Sequence, residues 1–298
     1  MVGAAQAAVS ARRHAVRVLI TGAAGQLGQD LVHAFAAADV IAATHTTLDV
    51  GDRDQVLGAI TTLAPDLVIH AAAWTAVDAC EDDLDRAFRV NALGARHVAD
   101  GCARAGAHLT VISTDYVFDG RATTPYSEWD DTNPLSIYGR SKLAGEREAK
   151  ALCPAASVIR TSWLCGKGGP NFVKTMLRLA AMNDGEVRVV DDQHGCPTFT
   201  SDLAHLVRSV AVGRLPGVFH ATNQGPTTWC GFAEAIFAAA GADVSRVVPI
   251  TTGELDPPRR APRPAYSVLD NAALRLSGLP LMADYHEPLE RLVKELLA

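Results

Sequence analysis

The most constraining feature of this sequence is an apolar run that leads directly into three evenly spaced glycines. The run 16–20 reads VRVLI, a pattern typical of a buried strand, and TGAAGQLG follows it. Gly22 permits a tight turn, Gly25 lets the backbone approach a pyrophosphate, and Gly28 lets the next helix pack closely on the strand. Because the N–H groups at the start of such a helix attract phosphate, the segment predicts a dinucleotide-binding βαβ unit. The cofactor contacts expected here come from Gly22, Gly25, Gln26, Leu27 and Gly28.

Strands and helices alternate through the first half of the chain. Strands are predicted over 16–20, 40–43, 66–70, 108–113 and 157–160. Helices are predicted over 26–38, 52–63, 84–105 and 136–152. Such alternation is typical of a parallel sheet with helices on both faces. The sequence therefore predicts an α/β fold with a doubly wound, Rossmann-type parallel sheet.

The second half is less regular, and we expect its elements to divide between two domains. Helices are predicted over 171–182, 201–212, 228–240 and 287–297, strands over 187–190, 218–221 and 247–250, and a proline-rich loop over 256–264. We expect a dinucleotide-binding domain over 16–164, with returning elements at about 201–222. Residues 165–200 and 223–298 would then form a smaller, interleaved C-terminal substrate domain. Residues 1–15 would be a poorly ordered leader.

The composition excludes several classes of protein. The 298 residues carry 33 acidic and 27 basic side chains, a net charge of −6, which argues against a nucleic-acid-binding surface. The six cysteines include no CxxC pair, so we expect reduced thiols rather than disulfides or a metal site. No apolar run approaches the roughly 18 residues of a membrane span. The sequence thus predicts a cytoplasmic protein, with export as the alternative that the leader leaves open.

The residues after the second predicted strand bear on the choice of cofactor. An NAD-binding site usually carries an acidic residue there, which holds the ribose 2′-hydroxyl. This sequence has Ala43-Thr44-His45-Thr46 instead. The segment has no carboxylate that would repel a 2′-phosphate, which favours NADPH. It also has no arginine that would bind one, so NADH stays open as the alternative. Asp49 and Val50 are placed to meet the adenine, but Asp49 is equally suited to cap a helix.

A tyrosine and a lysine four residues apart form the candidate catalytic pair. Tyr138 and Lys142 share one face of the predicted helix 136–152. A nearby ammonium lowers the pKa of a phenol from its usual ~10, which suits the phenol to proton transfer near neutral pH. Thr114 directly follows the predicted strand 108–113, at the edge where such sheets bind ligands. We therefore expect its hydroxyl beside Tyr138, binding a substrate carbonyl. For the tyrosine–lysine spacing alone, a surface pair is the alternative.

These segments resemble the extended short-chain dehydrogenase/reductase superfamily, in which Asn91 would match a helix asparagine that supports the active site. Over about residues 16–298 the chain is more closely similar to the dTDP-4-dehydrorhamnose reductase family. The stretches that carry this resemblance are GQLG (25–28), HAAAWTAVD (70–78), ISTDYVFDG (112–120), YGRSKLAGE (138–146), RTSWL (160–164), NFVKTML (171–177), DDQHGCPT (191–198) and RPAYSVLD (263–270).

The resemblance implies a reduction, in which hydride from a nicotinamide passes to the C4 ketone of dTDP-4-dehydro-6-deoxy-L-mannose and gives dTDP-L-rhamnose. It implies that Tyr138 is the general acid, that Lys142 lowers the tyrosine pKa and holds the nicotinamide ribose, and that Thr114 binds the carbonyl oxygen. The other residues implied in binding are Asp115 and Trp163 for the sugar, and Ala71, Ala72 and Ala73 for the cofactor.

Alternatives remain open at three places. Trp163 follows a strand end, where it could stack on the sugar or belong to the core. Arg263, with Arg259 and Arg260, could clamp a diphosphate or lie in a solvated loop. Some family members bind magnesium through carboxylates, for which Asp30 is the only candidate that aligns, so no metal site is predicted.

The rival functions are an epimerase or another reductase of nucleotide sugars, and a non-catalytic NADP-binding regulatory subunit. We expect a monomer or a homodimer.

Overall fold

The computed structural model describes residues 15–182 and 184–298; the predicted leader lies outside them, apart from Ala15. The strands of the described residues are β1 (Arg17–Thr21), β2 (Asp39–Ala43), β3 (Leu67–His70), β4 (His108–Thr114), β5 (Ser157–Thr161), β6 (Leu164–Cys165), β7 (Val187–Val190), β8 (His194–Gly195), β9 (Thr198–Phe199), β10 (Gly217–His220), β11 (Thr227–Thr228) and β12 (Val247–Ile250).

The helices of the described residues are α1 (Gln26–Ala34), α2 (Arg53–Leu63), α3 (Val77–Asp82), α4 (Leu84–Phe88), α5 (Gly94–Ala105), α6 (Ile137–Leu152), α7 (Phe172–Met182), α8 (Thr200–Val212), α9 (Trp229–Ala239), α10 (Ala272–Leu276) and α11 (His286–Leu297). A π-helical turn, Arg89–Leu93, joins α4 to α5. Short 3₁₀ turns cover Asp115–Val117, Val244–Arg246 and Thr252–Glu254.

Six strands form one parallel sheet in the spatial order β2-β1-β3-β4-β5-β10. The chain first moves from β1 outward to β2 and then crosses back to build β3, β4, β5 and β10 on the other side. The direction of winding therefore reverses between β1 and β3, which is the position where open α/β sheets bind ligands. This arrangement confirms the predicted α/β fold with a doubly wound parallel sheet.

Helices cover both faces of the sheet because successive residues of a buried strand point to opposite sides. In β1, Ile20 packs against α1 and α8 on one face, where it meets Leu31 and Val207. Its neighbour Leu19 points to the other face and packs with Ile60 and Val98 of α2 and α5. This double burial explains why the predicted strands read as continuous apolar runs.

A second, smaller core lies between α7, α9 and α11 and the parallel pair β7–β12. Its buried side chains include Val173, Val189, Phe232 and Leu289. One part of the range 223–298 packs elsewhere, because Leu274 of α10 and Met282 join the core of the large sheet beside Phe219. The division of the chain into two domains at the predicted boundaries stays a prediction.

Several helices begin or end one residue away from the prediction, and α10 was not predicted. Three further differences have a physical reason. The predicted helix 84–105 is divided into α4, the π turn and α5, although it runs without a break. The helix predicted over 26–38 ends at Ala34. The prediction extended too far because the alanine-rich segment that follows contains no glycine or proline to mark the end of the helix. The short helix α3 was not predicted, since six residues are too few for a helical periodicity to be recognised.

Among residues 15–182 and 184–298, none of the helices combines the length and the apolar character that crossing a bilayer requires.

Gly28 is the point where α1 makes its closest approach to the loop after β1. A Cβ atom at this position would lie 2.1 Å from the carbonyl oxygen of Gly22 and 2.7 Å from the Cα atom of Ala23. Both contacts are with backbone, which cannot rotate away. Gly58, on the exposed side of α2, has nothing within 4 Å of the same position.

We predict that alanine has opposite effects at these two helical glycines. Gly28→Ala should lower the free energy of unfolding by about 1–3 kcal/mol, because it overpacks the contact with the loop. Gly58→Ala should raise it by about 0.5–1 kcal/mol, because alanine loses less backbone entropy on folding. Denaturant unfolding of both variants checks the prediction, and equal effects would contradict it.

Candidate active site

The carboxyl ends of the central strands surround a cleft of about 410 Å³ at the predicted ligand-binding edge of the sheet. Most of the predicted site residues line it together. They are Gly22, Gly25, Gln26, Leu27, Gly28, Ala71, Ala73, Thr114, Asp115, Tyr138, Lys142 and Trp163. Ala72 lies directly behind this lining, whereas Asp49, Val50 and Arg263 lie outside it.

One end of the cleft has the properties of a phosphate site. Gly25 occupies the N-cap position of α1, and no side chain caps that helix, so its first N–H groups point toward the cleft without a side-chain acceptor. Gly22 has a φ of 71°, and a Cβ there would lie 2.7 Å from the backbone nitrogen of Ala72. The loop is therefore as close to β3 as backbone can come. These residues fit the pyrophosphate of a dinucleotide.

Tyr138 lies in the first turn of α6, whose start is fixed by two capping contacts. The Ser136 hydroxyl accepts a hydrogen bond from the Gly139 N–H at 3.1 Å, and the Glu81 carboxylate accepts one from the Ile137 N–H at 2.8 Å. Burial raises the pKa of the Tyr138 phenol well above its ordinary value, while a contact with the Thr114 hydroxyl acts to lower it. The phenol is thus protonated at neutral pH and can act as a proton donor.

Lys142 follows one turn later on the same face of α6. Its Nζ donates a hydrogen bond to the Ile112 carbonyl oxygen at 2.7 Å, at the carboxyl end of β4. Burial lowers the pKa of Lys142 to about 8, and the charge of Glu146 acts in the opposite direction. The ammonium is therefore held at the cleft but bound to backbone, and its predicted influence on the Tyr138 pKa stays a prediction.

Thr114 belongs to a chain of hydrogen bonds that sequence reasoning did not find. Its Oγ1 donates to Asp115 Oδ1 at 3.0 Å, and Ser267 Oγ donates to Asp115 Oδ2 at 2.6 Å. Burial raises the pKa of Asp115 to about 6, although these hydrogen bonds lower it. Asp115 is thus held beside Thr114 and is almost fully covered. Ser267 comes from a distant segment, and a lone serine gives no local signal of such a contact.

Asn91 lies in the π-helical turn, a type of irregularity that is frequent at functional sites. Its side chain accepts a hydrogen bond from the Trp74 N–H at 2.8 Å and donates to the Trp74 carbonyl at 3.1 Å. It also donates to the Ser141 hydroxyl at 3.0 Å. Asn91 therefore ties the loop after β3 to α6, next to Tyr138 and Lys142.

We predict that Asn91→Ala lowers the free energy of unfolding by about 1–3 kcal/mol, because it removes three hydrogen bonds to the part-buried backbone of Trp74 and the buried Ser141 hydroxyl. The matched control is Asn133→Ala. Asn133 is exposed and makes a single 3.2 Å side-chain contact with Asp119, so its replacement should cost less than about 0.5 kcal/mol. Denaturant unfolding measures both values, and similar losses would rule out the bridging role of Asn91.

Trp163 combines the two alternatives that the sequence left open. One face of its ring stacks on Trp229, with ring centroids 3.6 Å apart, at the border of the smaller core. The residue also lines the cleft. Its φ of 47° is unusual for a bulky side chain, and such strain is typical of functional sites. Gly195 leaves room for the ring, since a Cβ there would lie 2.5 Å from it.

A second cleft of about 460 Å³ shares Tyr116 and Trp229 with the first. Its lining also includes three cationic side chains, Arg188, Arg259 and Arg263.

Arg263 is bound to α3 rather than unpaired. Its two terminal nitrogens contact the carboxylate oxygens of Asp78 at 2.9 and 2.7 Å, which lowers the pKa of Asp78. Arg259 lies 3.9 Å from the same carboxylate, and Arg260 pairs with Asp82. Arg263 is therefore anchored to α3 with its side chain only 13% exposed, whereas the side chains of Arg259 and Arg260 are 58% and 66% exposed. Whether the loop clamps a diphosphate stays a prediction.

Asp49 and Val50 make contacts of their own. Asp49 Oδ1 accepts a hydrogen bond from the Gly51 N–H at 2.9 Å, and Oδ2 lies 3.8 Å from Arg89. Val50 is buried, with its carbonyl 3.0 Å from the ring of His97. The predicted contact of these residues with an adenine stays a prediction.

Asp30 lies at a separate surface depression that also includes His33 and Glu295. Within the part of the chain that the structure describes, no group of three or more His, Cys, Asp or Glu side chains is placed to hold a metal ion.

Comparison with known proteins gives a consistent result. The family model of the RmlD substrate binding domain matches residues 16–298. The chain is 44% identical over 271 residues to the dTDP-4-dehydrorhamnose reductase of Streptomyces griseus, which covers 88% of each protein. It is 40% identical over 271 residues to the dTDP-4-keto-6-deoxy-D-glucose reductase of Streptomyces niveus, covering 88% of this chain and 91% of that protein.

Among solved structures, the chain is similar to the dTDP-4-dehydrorhamnose reductase of Bacillus anthracis in complex with NADP. The TM-score is 0.90 at 40% sequence identity, and the match covers 94% of this chain and 99% of that one. The resemblance that the sequence motifs indicated is therefore confirmed.

Proposed function

Because this chain belongs to the RmlD substrate-binding-domain family, we propose that it reduces the C4 ketone of dTDP-4-dehydro-6-deoxy-L-mannose to dTDP-L-rhamnose with NADPH. The observation that carries the proposal is the meeting of Tyr138, Lys142 and Thr114 in one cleft, which begins at the uncapped start of α1. A nicotinamide cofactor fits the glycine loop, and the similar structure from Bacillus anthracis contains NADP. The complete set of three residues also favours catalysis over a non-catalytic regulatory role.

When bound, the reduced nicotinamide supplies a hydride to the carbonyl carbon. Three residues then neutralise or stabilise the negative charge that hydride transfer leaves on the C4 oxygen. Tyr138, kept protonated by burial, donates its phenolic proton to that oxygen. The Thr114 hydroxyl would bind the same oxygen by turning its single proton to it from Asp115 Oδ1. The Lys142 ammonium stabilises the phenolate that remains.

The two clefts suggest how the substrate divides between them. The sugar lies in the first cleft against Trp163, and the nucleotide diphosphate lies in the second, where guanidinium groups match phosphate oxygens. Arg263 is the best placed of these, because its side chain is largely buried and held by Asp78. Phosphate binding must then share Arg263 with Asp78.

We predict that Tyr138→Phe lowers kcat by about 10²–10⁴-fold, because it removes the proton donor. The affinity for NADPH should change little, since the ring and the glycine loop remain. Turnover is followed at the absorbance band of the reduced nicotinamide, and NADPH binding by its fluorescence. Near-normal turnover of the phenylalanine variant would remove Tyr138 from the reaction.

We predict that Arg263→Gln raises the KM for the nucleotide sugar by about tenfold or more and changes kcat little. A charge-assisted hydrogen bond to phosphate contributes about 1.5–3 kcal/mol to binding. Arg260→Gln is the matched control, because Arg260 also pairs with α3 but does not line the second cleft. Equal effects of the two substitutions on KM would show that only the anchoring of the loop matters.

The Streptomyces niveus relative supports a second candidate, the reduction of another dTDP-4-keto-6-deoxy sugar. A panel of dTDP-, UDP- and GDP-4-keto sugars, each offered with NADPH and with NADH, separates these substrates. We expect the highest kcat/KM with dTDP-4-dehydro-6-deoxy-L-mannose and NADPH. Oxidation of the cofactor with none of the sugars would refute the reductase proposal.

We place this reaction in the cytoplasm, in a monomer or homodimer, with no requirement for magnesium. The support for this compartment is chemical, because the six free cysteines suit a reducing environment. The end of β2 carries Thr44 and His45, with no carboxylate that would repel a 2′-phosphate, and this supports the preference for NADPH.

A further inference from the structure

A buried ion pair lies one helical turn beyond Lys142 and has no part in the reaction as described so far. Glu146 of α6 and Arg160 of β5 have side-chain exposures of only 4% and 6%. Arg160 Nε lies 3.0 Å from Glu146 Oε1, and Nη2 lies 2.8 Å from Oε2, so the contact is bidentate. The Ser113 hydroxyl donates a further hydrogen bond to Oε1. Such a pair is costly to bury and is weak support for stability, which raises the question of what else it does.

The position of Glu146 relative to Lys142 gives the first part of an answer. The two residues are four apart on one helix, a spacing at which a lysine and a glutamate can pair, although the order with lysine first is the less favourable one. Here the carboxylate is fully engaged by Arg160 and Ser113 instead. The Lys142 ammonium binds the Ile112 carbonyl and lines the cleft. Arg160 thus prevents Glu146 from drawing the ammonium away from the cleft.

The charges around Lys142 give the second part. The titratable groups that line the cleft together with Lys142 are Tyr138, Asp115 and Tyr116. Glu146 on α6 with its partner Arg160 on β5, and His70 on β3, are the further charged or titratable groups close to it. Burial lowers the pKa of His70 to about 3, so its ring is neutral. Glu146 is the group whose charge opposes the loss of the Lys142 proton on burial. Its carboxylate is held in place by the bidentate contact with Arg160.

We propose that Glu146 and Arg160 are positioning residues for the reaction, which together keep the side chain of Lys142 at the cleft as an ammonium. Arg160 fixes where the carboxylate points, and Glu146 supplies the charge. The inference rests on the proposed role of Lys142 in binding the cofactor and stabilising the phenolate. It makes the buried pair part of the active site, although neither residue touches substrate or cofactor.

The test compares two ion pairs on the same helix. Glu146→Gln/Arg160→Met removes both buried charges together, keeps side chains of similar size and leaves an acceptor for Ser113, so neither charge is left unpaired. Glu148→Gln/Arg96→Met removes the matched surface pair, in which the contact is 3.0 Å and both side chains are more exposed. The readout is the pH dependence of kcat/KM, which reports the groups of the unbound enzyme.

Lys142 loses its proton as the pH rises through its pKa, so we expect wild-type kcat/KM to fall above a pH of about 8. In the buried-pair variant this fall should move down by ~1 pH unit, because the Glu146 charge that opposes the loss of the Lys142 proton is gone. The Arg160 cation, removed with it, is not among the causes of the Lys142 pKa shift. The surface-pair variant should keep the wild-type profile. A buried-pair variant with a lower melting temperature but an unchanged pH profile would mean that the pair is only structural, and would overturn the proposal.

Two further measurements keep the result decisive. If the double variant fails to fold, Arg160→Lys keeps both buried charges but cannot hold the carboxylate by a bidentate contact. The carboxylate is then freer to pair with Lys142, so the fall in kcat/KM should move to higher pH, and an unchanged profile would overturn the proposal. The pH dependence of the NADPH dissociation constant provides a readout without turnover. If this binding curve is displaced in the variant while the protein reduces none of the keto sugars, the role of the pair is upheld. The proposed reaction is then refuted. Turnover with neither profile displaced would refute the role of the pair alone.

Discussion

The packing of one face of α6 against β4 and β5 is the interaction on which the site depends. Tyr138, Lys142 and Glu146 follow one another at four-residue intervals on this face, and all three are buried. Burial has opposite consequences for the first two, since it raises the pKa of the phenol and lowers that of the ammonium. The same contacts that hold the helix on the sheet therefore keep the phenol protonated and bring the ammonium near its titration point at neutral pH.

The position of this helix is fixed from several directions. Its first turn is capped by Ser136 and by Glu81 from α3, and Asn91 joins it to the loop after β3. Across the cleft, α1 starts at a glycine with no side-chain cap, so backbone N–H groups face the space that α6 borders. The doubly wound sheet brings the two helices together because its winding reverses between β1 and β3. A phosphate site and a proton donor thus meet at one edge.

Local patterns predicted the parts of the molecule that depend on local physics. The glycine spacing and the strand–helix alternation gave the fold, and the four-residue spacing of Tyr138 and Lys142 gave the candidate pair. Contacts between distant segments left no such signal. Arg263 meets Asp78 across 185 residues of sequence, and Arg160 lies in a strand where an arginine would ordinarily be exposed. Its burial is compensated by Glu146, which approaches from α6, and by the ring of Phe118 beneath the guanidinium.

Hydride transfer to C4 of a dTDP-linked 4-keto sugar is the chemistry that we propose for the cleft. The most direct test is to supply NADPH carrying deuterium at both C4 positions of the nicotinamide and to locate the label in the product by NMR. We expect one deuterium per product molecule, bound to sugar C4, with one equivalent of NADPH oxidised. Deuterium at another carbon, or conversion of the sugar without oxidation of NADPH, would contradict this proposal.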